Sequence, residues 1–375
     1  MILTAEQSAI QEAVRAYAQE QIRPRSAAFE AAGAFPDGLF KELASLGLLG
    51  MTAPEAIGGA GTDYVSYALA LIEIAAADGA LSTVLSIQNS LIVAGLLKDG
   101  SEAQQARFLP DLMAGRMIGA FALTEADAGS DASALRTRAT KVEGGYRLNG
   151  AKQFITSGKI AGIAIVYAVT DPAAGKRGIS GFIVPTDSEG YSVDKVEHKL
   201  GQVASDTCAI RFDDVFVPDE LRLGAEGAGY GIALSNLEAG RIGIAAQCIG
   251  MAQSALDIAI GYARDRTSFG KPIIEHQAVG FRLADQAARL EAARQLVLHA
   301  AAMKDAGQPC LKEASMAKLV ASETAEAVVS AAIQTLGGYG YLEEYGIAKI
   351  YRDVRVCQIY EGTSDIQRMV IARAL

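Results

Sequence analysis

Between Gly119 and Leu223 the chain reads AFALTE (120–125), KVEGGYRLNGAKQFIT (141–156), IAIVYAV (163–169), GISGFIVP (178–185) and CAIRFDDVFVP (208–218). These segments are short and rich in β-branched residues, and turn residues such as the Gly144-Gly145 pair separate them, which is the pattern of β-strands. No helix-length connection lies between them, so a compact barrel or sandwich is favoured over a parallel sheet with crossover helices. The middle of the chain is therefore predicted to be a β domain.

The region before this β segment carries helix start signals. Thr4 with Gln7 and Ser101 with Gln104 have the spacing of capping boxes, and Asp63 can cap the apolar segment that follows it. We therefore expect residues 1–118 to be all helical.

The region after the β segment has a longer helical pattern. Apolar residues recur at helical spacing there, and only two prolines, Pro272 and Pro309, interrupt it. Helices over 228–264, 275–305 and 310–336 fit the antiparallel helices of a bundle. The predicted domains are thus 1–118, 119–223 and 224–375.

The composition limits the classes of partner. The 375 residues include 34 Lys and Arg against 43 Asp and Glu, a net charge of -9. Nucleic acids and anionic membranes require clustered basic charge, so neither is an expected partner. The four Cys and three His are scattered, without a CxxC or HExxH pattern, and predict no metal site.

Two features bear on membranes and targeting. The N-terminal MILTAEQSAI has no basic region before an apolar stretch, which predicts no signal peptide. No charged residue lies between Asp78 and Lys98, but Ser, Thr, Gln and Asn interrupt that segment, which favours a buried helix over a membrane span. We expect a cytoplasmic protein, or a mitochondrial matrix protein if the source is eukaryotic and a transit peptide is missing.

The signatures of Rossmann, P-loop and α/β-hydrolase sites are absent, and three other constellations remain. Residues 121–131 form a strand that runs into a Gly-Ser turn, which suits a polar ring edge or a pyrophosphate but is also an ordinary turn composition. Residues 334–341 contain glycines that admit a phosphate or a neighbouring chain, or simply cap a helix. In residues 359–365, Glu361 has the setting of a desolvated general base, or of a solvated loop carboxylate.

Taken in order, six segments resemble the acyl-CoA dehydrogenase family along essentially the whole chain. They are ALTEADAGSDASA (122–134), QFITSG (153–158), LEAGRIGIAAQ (237–247), RDRTSFGKPIIEHQ (264–277), QTLGGYGYLEEYGIAKIYRD (334–353) and QIYEGTSDIQR (358–368). The resemblance implies an α+β multi-domain fold with an N-terminal helical domain, a middle β-barrel domain and a C-terminal four-helix bundle. It also implies an FAD-dependent oxidoreductase of fatty acid β-oxidation.

The resemblance assigns Glu361 as the catalytic base. Some branched-chain members place the base instead at the position of Gly240, which carries no side chain here. Glu361 would take the α-proton of an acyl-CoA thioester while the β-hydrogen leaves as hydride to N5 of FAD. The family's donors to the enolate-like thioester oxygen are the backbone N–H of the base and a ribityl hydroxyl of the flavin.

The resemblance also assigns binding residues. Those for FAD in the same chain are Phe121, Leu123, Thr124, Ser130, Phe154, Thr156, Thr363 and Asp365. Those from a neighbouring subunit are Arg266, Phe269, Gln277, Gln334, Gly337 and Gly338. Those for CoA or the thioester are Ser130, Ser205, Glu238, Arg241 and Gly362. Cofactor sites shared between chains imply the family's homotetramer, a dimer of dimers.

Two positions depart from the family pattern. Ala126 stands where many relatives have Pro, and Phe154 stands where many have Trp on the flavin face. Neither change removes a catalytic group, and Phe154 keeps an apolar wall without an indole N–H.

The predicted activity is dehydrogenation of short- to medium-chain acyl-CoA to trans-2-enoyl-CoA, with electrons passed to electron-transfer flavoprotein. The pocket floor is expected within residues 86–95, whose apolar side chains suggest an aliphatic tail without defining its length or branching. Two alternatives stay open: an acyl-CoA oxidase that uses dioxygen, and a non-catalytic flavoprotein or assembly partner on the same fold. Retention of Glu361 argues against the second.

Overall fold

The computed structural model describes residues 1–375 and begins with a helical region. Its helices are α1 (Ala5–Tyr17), α2 (Ser26–Ala32), α3 (Leu39–Ser45), α4 (Tyr64–Ala77), α5 (Gly79–Ile87), α6 (Ala94–Asp99) and α7 (Glu102–Met113). Both predicted capping boxes are formed, at Thr4 and Ser101, and Asp63 caps α4 as predicted. A π-helical turn, Gln88–Val93, joins α5 to α6.

The middle region is one eight-stranded sheet. Its strands are β1 (Gly119–Ala122), β2 (Arg138–Val142), β3 (Gly145–Thr156), β4 (Ile163–Val169), β5 (Ile179–Pro185), β6 (Tyr191–Val196), β7 (Thr207–Pro218) and β8 (Arg222–Leu223). The strand order is β6-β7-β3-β2-β4-β5-β8, and β1 pairs in parallel with β4 outside that order. The predicted turn between β2 and β3 is formed by Glu143 and Gly144, and Gly145 begins β3 opposite Val142.

Strand β6 is the one long strand that the sequence did not predict. It lies at the edge of the sheet and pairs only with β7. All but one of its residues are exposed, and that one, Tyr191, is half-buried. Apolar and polar residues alternate only from Tyr191 to Asp194, and Lys195 breaks the alternation beside a register shift in the pairing with β7. The pattern is therefore too short to mark a strand in the way that it marks the others.

The C-terminal region contains the long helices α8 (Gly229–Asp265), α9 (Gln277–Asp305) and α10 (Leu311–Leu336), and the shorter α11 (Ile347–Arg355) and α12 (Ser364–Arg373). A two-residue hairpin ladder, β9 (Thr267–Ser268) with β10 (Lys271–Pro272), joins α8 to α9. The three long helices begin and end within two residues of their predicted bounds. Helices α11 and α12 both pack against α10. The predicted order of a helical, a β and a helical region is confirmed.

Helix α8 joins the bundle to the N-terminal helices. A Cβ atom at Gly250 would lie 2.1 Å from the Ile72 carbonyl oxygen, and one at Gly243 would lie 2.2 Å from the Ser86 hydroxyl oxygen. Glycine is required at both places because any side chain would separate the helices. One apolar core of 54 buried residues therefore runs through both helical regions and fixes α5 beside α8.

Two helical segments are long and apolar enough to cross a membrane, Gly79–Asp99 and Gly229–Asp265. In these, 89% and 83% of the most apolar window is buried inside the protein. Helices whose surface is covered by protein on nearly every side are core helices, as predicted for the first of them.

Candidate active site

Glu361 lies in a short turn between a 3-10 turn, Val356–Gln358, and α12. Its φ is 53° and that of the following Gly362 is 89°, so two consecutive residues are in the left-handed region. Such a conformation is unfavourable for a residue with a Cβ atom. Thr363 then caps α12 by accepting a hydrogen bond from the Ile366 N–H. The turn reverses the chain and directs the Glu361 side chain at α8.

The Glu361 carboxylate lies against the backbone of α8 at Gly240. A Cβ atom at Gly240 would be 2.2 Å from Glu361 Oε2. The carboxylate therefore occupies the space that a side chain at position 240 would need. The two alternative base positions of the sequence analysis are thus one location in space, reached here from position 361.

The electrostatic setting of Glu361 is unusual for a carboxylate. Its Oε2 atom is buried and has no hydrogen-bond partner. Burial raises the pKa of Glu361 to about 7, against the opposing effect of the Arg241 and Lys318 cations. Arg241 is itself buried, its Nε atom has no partner, and its one hydrogen bond is a 3.5 Å contact with Ser315. Unsatisfied buried groups of this kind are candidates for contact with a ligand or an ordered water.

Tyr360, next to Glu361, is held by a buried chain of hydrogen bonds. Its hydroxyl donates to Gln247 Oε1 of α8 at 2.6 Å, and Gln247 Nε2 donates to Thr83 Oγ1 of α5 at 2.6 Å. Thr83 Oγ1 donates in turn to Gln202 Oε1, in the segment between β6 and β7, at 2.6 Å. The residue before the candidate base is therefore fixed by side chains from all three regions of the chain.

Three of the same-chain residues predicted for FAD, Phe121, Thr124 and Phe154, belong to neighbouring segments of the β region, whereas Thr363 and Asp365 lie at the start of α12. The Thr124 carbonyl accepts a 2.9 Å hydrogen bond from the N–H of Gln153, the residue before Phe154. Phe154 is 62% exposed, and its φ is 59°. Phe121 packs its ring at 5.2 Å from that of Tyr167 in β4. The segment of Phe121 and Thr124 thus lies beside the segment of Phe154, whose ring is largely exposed.

Thr156 connects this edge to the candidate base. It lies at the end of β3 and lines a cavity of about 280 Å³ together with Ser205, Ile359 and Tyr360. The Ser205 Oγ atom is buried without a partner. A hydroxyl from the β region and the residues just before Glu361 therefore face the same space.

Leu123 is buried, whereas Ser130 is exposed in the turn that follows β1. That turn is anchored by a pair that the sequence analysis missed. Lys152, which is fully buried, donates to Glu125 Oε1 at 2.8 Å and to the Leu123 carbonyl at 3.0 Å. Glu125 also accepts from the N–H groups of Arg136 and Thr137. The signal was present: a lysine that alternates with inward-facing residues on a strand is a candidate for a buried partner.

The residues predicted to come from a neighbouring subunit lie far from Glu361 in the same chain. Arg266 directly follows the last residue of α8, and at 1.5 Å per residue it is roughly 39 Å along the helix from Gly240. Arg266 is exposed and forms no ion pair, and Phe269 is 95% exposed. The Tyr262 and Tyr339 rings are 6.1 Å apart, which places the 334–338 segment at this same end. Gln277, which begins α9, is also exposed there.

Three further predicted residues have other surroundings. Glu238 is paired with Lys304 at 3.1 Å and accepts from the Cys310 thiol, so its carboxylate already has partners within the chain. Asp365 is exposed in the first turn of α12. Gly362 belongs to the Glu361 turn itself.

The three regions each match one part of a known family. Residues 4–116 match the acyl-CoA dehydrogenase N-terminal domain, residues 120–215 the middle domain and residues 227–375 the C-terminal domain. The chain belongs to the acyl-CoA dehydrogenase family. The resemblance inferred from the six sequence segments is thereby confirmed.

Individual acyl-CoA dehydrogenases and related proteins match over nearly the full length. An acyl-CoA dehydrogenase of Bacillus subtilis (strain 168) is 46% identical over 375 residues, covering 100% of this chain and 99% of its own. The caffeyl-CoA reductase-Etf complex subunit CarC of Acetobacterium woodii is 45% identical over 92% of this chain and 91% of its own. The solved structure of butyryl-CoA dehydrogenase from Megasphaera elsdenii has a TM-score of 0.97 at 42% identity, covering 100% of this chain and 99% of that one.

Proposed function

We propose that this acyl-CoA dehydrogenase converts short- to medium-chain acyl-CoA to trans-2-enoyl-CoA with Glu361 as the base. The observation that carries the proposal is the buried, unpartnered Glu361 Oε2 against Gly240, with a pKa raised to about 7. A base whose pKa lies near the working pH is deprotonated in a useful fraction and still basic enough to take a proton from carbon.

The thioester α-proton is a poor acid, so the developing charge on the carbonyl oxygen must be stabilised. The N–H of Glu361 donates to no backbone carbonyl and is free to meet that oxygen. We also assign Arg241, which is buried with an unpartnered Nε atom, to the thioester or CoA. The other residues that we assign to the thioester or CoA are Gly362 in the Glu361 turn, Ser130, Ser205 and Glu238.

FAD is the cofactor that this family implies, and it supplies an acceptor for the β-hydrogen. The donor set of the β region fits it: Thr124 and Thr156 offer hydroxyl groups, and Phe121 and Phe154 offer aromatic walls at one edge. Gly337 and Gly338 have open space where a Cβ atom would stand, so a phosphate can approach their backbone. Arg266, which forms no ion pair, is suited to a bidentate contact with a pyrophosphate.

We propose that each FAD site is shared by two chains of a homotetramer, a dimer of dimers. One group of residues lies at the C-terminal end of α8: Arg266, Phe269, Gln277 and Gln334. A second group lies in or beside the turn that contacts α8 at Gly240: Glu361, Thr363 and Asp365. Within one chain the two groups are separated by roughly 39 Å along α8. This separation supports a site in which one FAD contacts the first group of one chain and the second group of another.

Electron-transfer flavoprotein is the proposed acceptor of the electrons, and the cytoplasm is the proposed location. The Etf complex named for the Acetobacterium relative supports this acceptor. We also propose domain bounds at 118/119 and 223/224, which are supported by the gaps between α7 and β1 and between β8 and α8.

An anaerobic titration of the purified protein tests the proposed function. A panel of saturated acyl-CoA thioesters should bleach the oxidised flavin absorption, and electron-transfer flavoprotein should restore it. Absence of bleaching by every thioester would contradict a dehydrogenase. Rapid restoration by air alone would favour an oxidase.

A further inference from the structure

A buried lysine lies behind the candidate base. Lys318 is fully buried in α10, on the same face as Ala314, Ala317 and Ala321. It forms no ion pair, and its one hydrogen bond runs from Nζ to the Gly362 carbonyl oxygen at 2.7 Å. Burying an ammonium group without a carboxylate partner is costly, so its retention points to a role beyond packing.

The hydrogen bond of Lys318 acts on the left-handed turn of Glu361 and Gly362. Gln367, also fully buried, donates from Nε2 to the same Gly362 oxygen at 2.9 Å and to the Glu361 oxygen at 3.2 Å. Both carbonyl groups of the turn are thus oriented by buried donors. Strained turns of this kind persist only where surrounding groups hold them.

Lys318 also belongs to the set of charged and titratable groups around the base. Those facing Glu361 are Arg241 from α8, Lys318 from α10 and the Tyr67 hydroxyl from α4. Those facing Lys318 are Cys248 from α8, Cys357 from the 3-10 turn, and Arg241 and Glu361 themselves. Arg241 and Lys318 are the only cations in the two sets, so each stabilises the ionised carboxylate.

We propose that Lys318 is a positioning residue for the catalytic base: its ammonium group holds the Gly362 carbonyl and, with it, the turn that places the Glu361 carboxylate against Gly240. This proposal for Lys318 rests on the proposed function in one respect, the role of Glu361 as the base. It assigns Lys318 two separable effects, one through its hydrogen bond and one through its charge.

Three variants of the holoenzyme separate these effects. Lys318→Met removes both the charge and the donor at similar length, Lys318→Gln removes the charge and keeps an N–H donor, and Lys312→Met removes a half-exposed lysine of the same helix as a control. The first measurement is an infrared titration of the protonated carboxyl band of Glu361, assigned by its loss in Glu361→Gln. The second is the pH profile of single-turnover flavin reduction by an acyl-CoA.

In Lys318→Met we expect the titration midpoint of Glu361 to rise by at least about 0.5 pH unit, because a stabilising cation is lost. The rate at the alkaline plateau should fall by roughly 10- to 100-fold, because the carboxylate is misplaced. Lys318→Gln should show the same rise in midpoint with a smaller loss of rate, and Lys312→Met should match the parent.

An unchanged midpoint and plateau in Lys318→Met would overturn the proposal. If that variant does not fold, Lys318→Gln decides, and an unchanged midpoint together with a parent-like plateau there overturns the proposal. If no acyl-CoA reduces the flavin of the parent protein, the proposed function fails, whereas the infrared titration still decides whether Lys318 acts on Glu361.

Discussion

At the scale of single residues, the contact between Glu361 and Gly240 determines where the base lies. Gly240→Ala would place a methyl carbon 2.2 Å from Glu361 Oε2, closer than two such atoms can approach. We expect a roughly 10- to 100-fold slower flavin reduction, because the carboxylate must move away from the substrate, with unchanged FAD content. Stopped-flow reduction by an acyl-CoA measures the rate.

The matched control for this change is Gly261→Ala in the same helix. Gly261 has open space where its Cβ atom would be. An alanine there should raise the free energy of unfolding by about 0.5–1 kcal/mol and leave the rate unaltered. Parent-like reduction by Gly240→Ala would show that the carboxylate does not work from this position.

The raised pKa of Glu361 also predicts a cost in stability. A carboxyl group with a pKa of about 7 in the folded state and 4.5 when unfolded binds more protons in the folded state between these values. The contribution of this group to the free energy of unfolding is therefore largest below pH 4.5. It decreases as the pH rises to about 7 and does not return above that pH.

Glu361→Gln removes that cost. We expect it to raise the free energy of unfolding at pH 8 by on the order of 1–3 kcal/mol, and by little near pH 4.5. Denaturant unfolding at both pH values measures the difference. An equal effect at the two values would mean that the folded protein does not shift the pKa of this carboxyl.

At the scale of elements, Lys152 and Glu125 connect β3 to the turn after β1, where Thr124 and Ser130 lie. Lys152→Met would leave the Glu125 carboxylate without its buried cation. We expect a loss of about 3 kcal/mol in the free energy of unfolding and weaker FAD binding. Chemical denaturation and a flavin-binding titration measure the two effects.

Lys141→Met is the control on the neighbouring strand, since Lys141 forms an exposed pair with Asp219. It should leave the free energy of unfolding close to that of the parent, because an exposed ion pair is screened by solvent. Adding Glu125→Gln to Lys152→Met should recover part of the lost stability. If Lys152→Met and Lys141→Met lower the free energy of unfolding equally, the burial of the Lys152–Glu125 pair does not contribute to stability.

The elements themselves could largely be predicted from the sequence. Periodic apolar residues determine α8, α9 and α10, and β-branched runs determine β4, β5 and β7, because each buries a defined face. Edge strand β6 buries no face and was missed. The motifs identified Glu361, Thr156 and Ser205 as candidates, but not the partners that hold them. The contacts of Lys318 and the Tyr360 chain of hydrogen bonds join residues distant in sequence, and no local pattern reports them, whereas the alternation along β3 could have indicated that Lys152 faces inward.

At the scale of the whole molecule, the site depends on all three domains and, in our proposal, on a second chain. Thr83, Gln202 and Gln247 bring the N-terminal, middle and C-terminal regions to the residue before the base. Arg266 lies at the distant end of α8, and in our proposal it reaches the FAD of another chain. Mixing two inactive variants tests this sharing.

Hybrid tetramers of Glu361→Gln and Arg266→Ala chains should regain activity at limiting FAD. In a mixed pair, one site combines an intact Glu361 from one chain with an intact Arg266 from the other, while the second site lacks both. Neither variant alone should be active under these conditions. If mixing restores no activity, Arg266 serves the site of its own chain or none.

The central claim is that Glu361 takes the α-proton of an acyl-CoA. The most direct measurement is anaerobic single-turnover reduction of the bound flavin by butyryl-CoA, in the parent protein and in Glu361→Gln. We expect the parent flavin to bleach with an apparent pKa near 7 in its pH profile, and the variant to keep its FAD and lose at least about 1,000-fold in rate. Bleaching of Glu361→Gln at the parent rate would contradict the account.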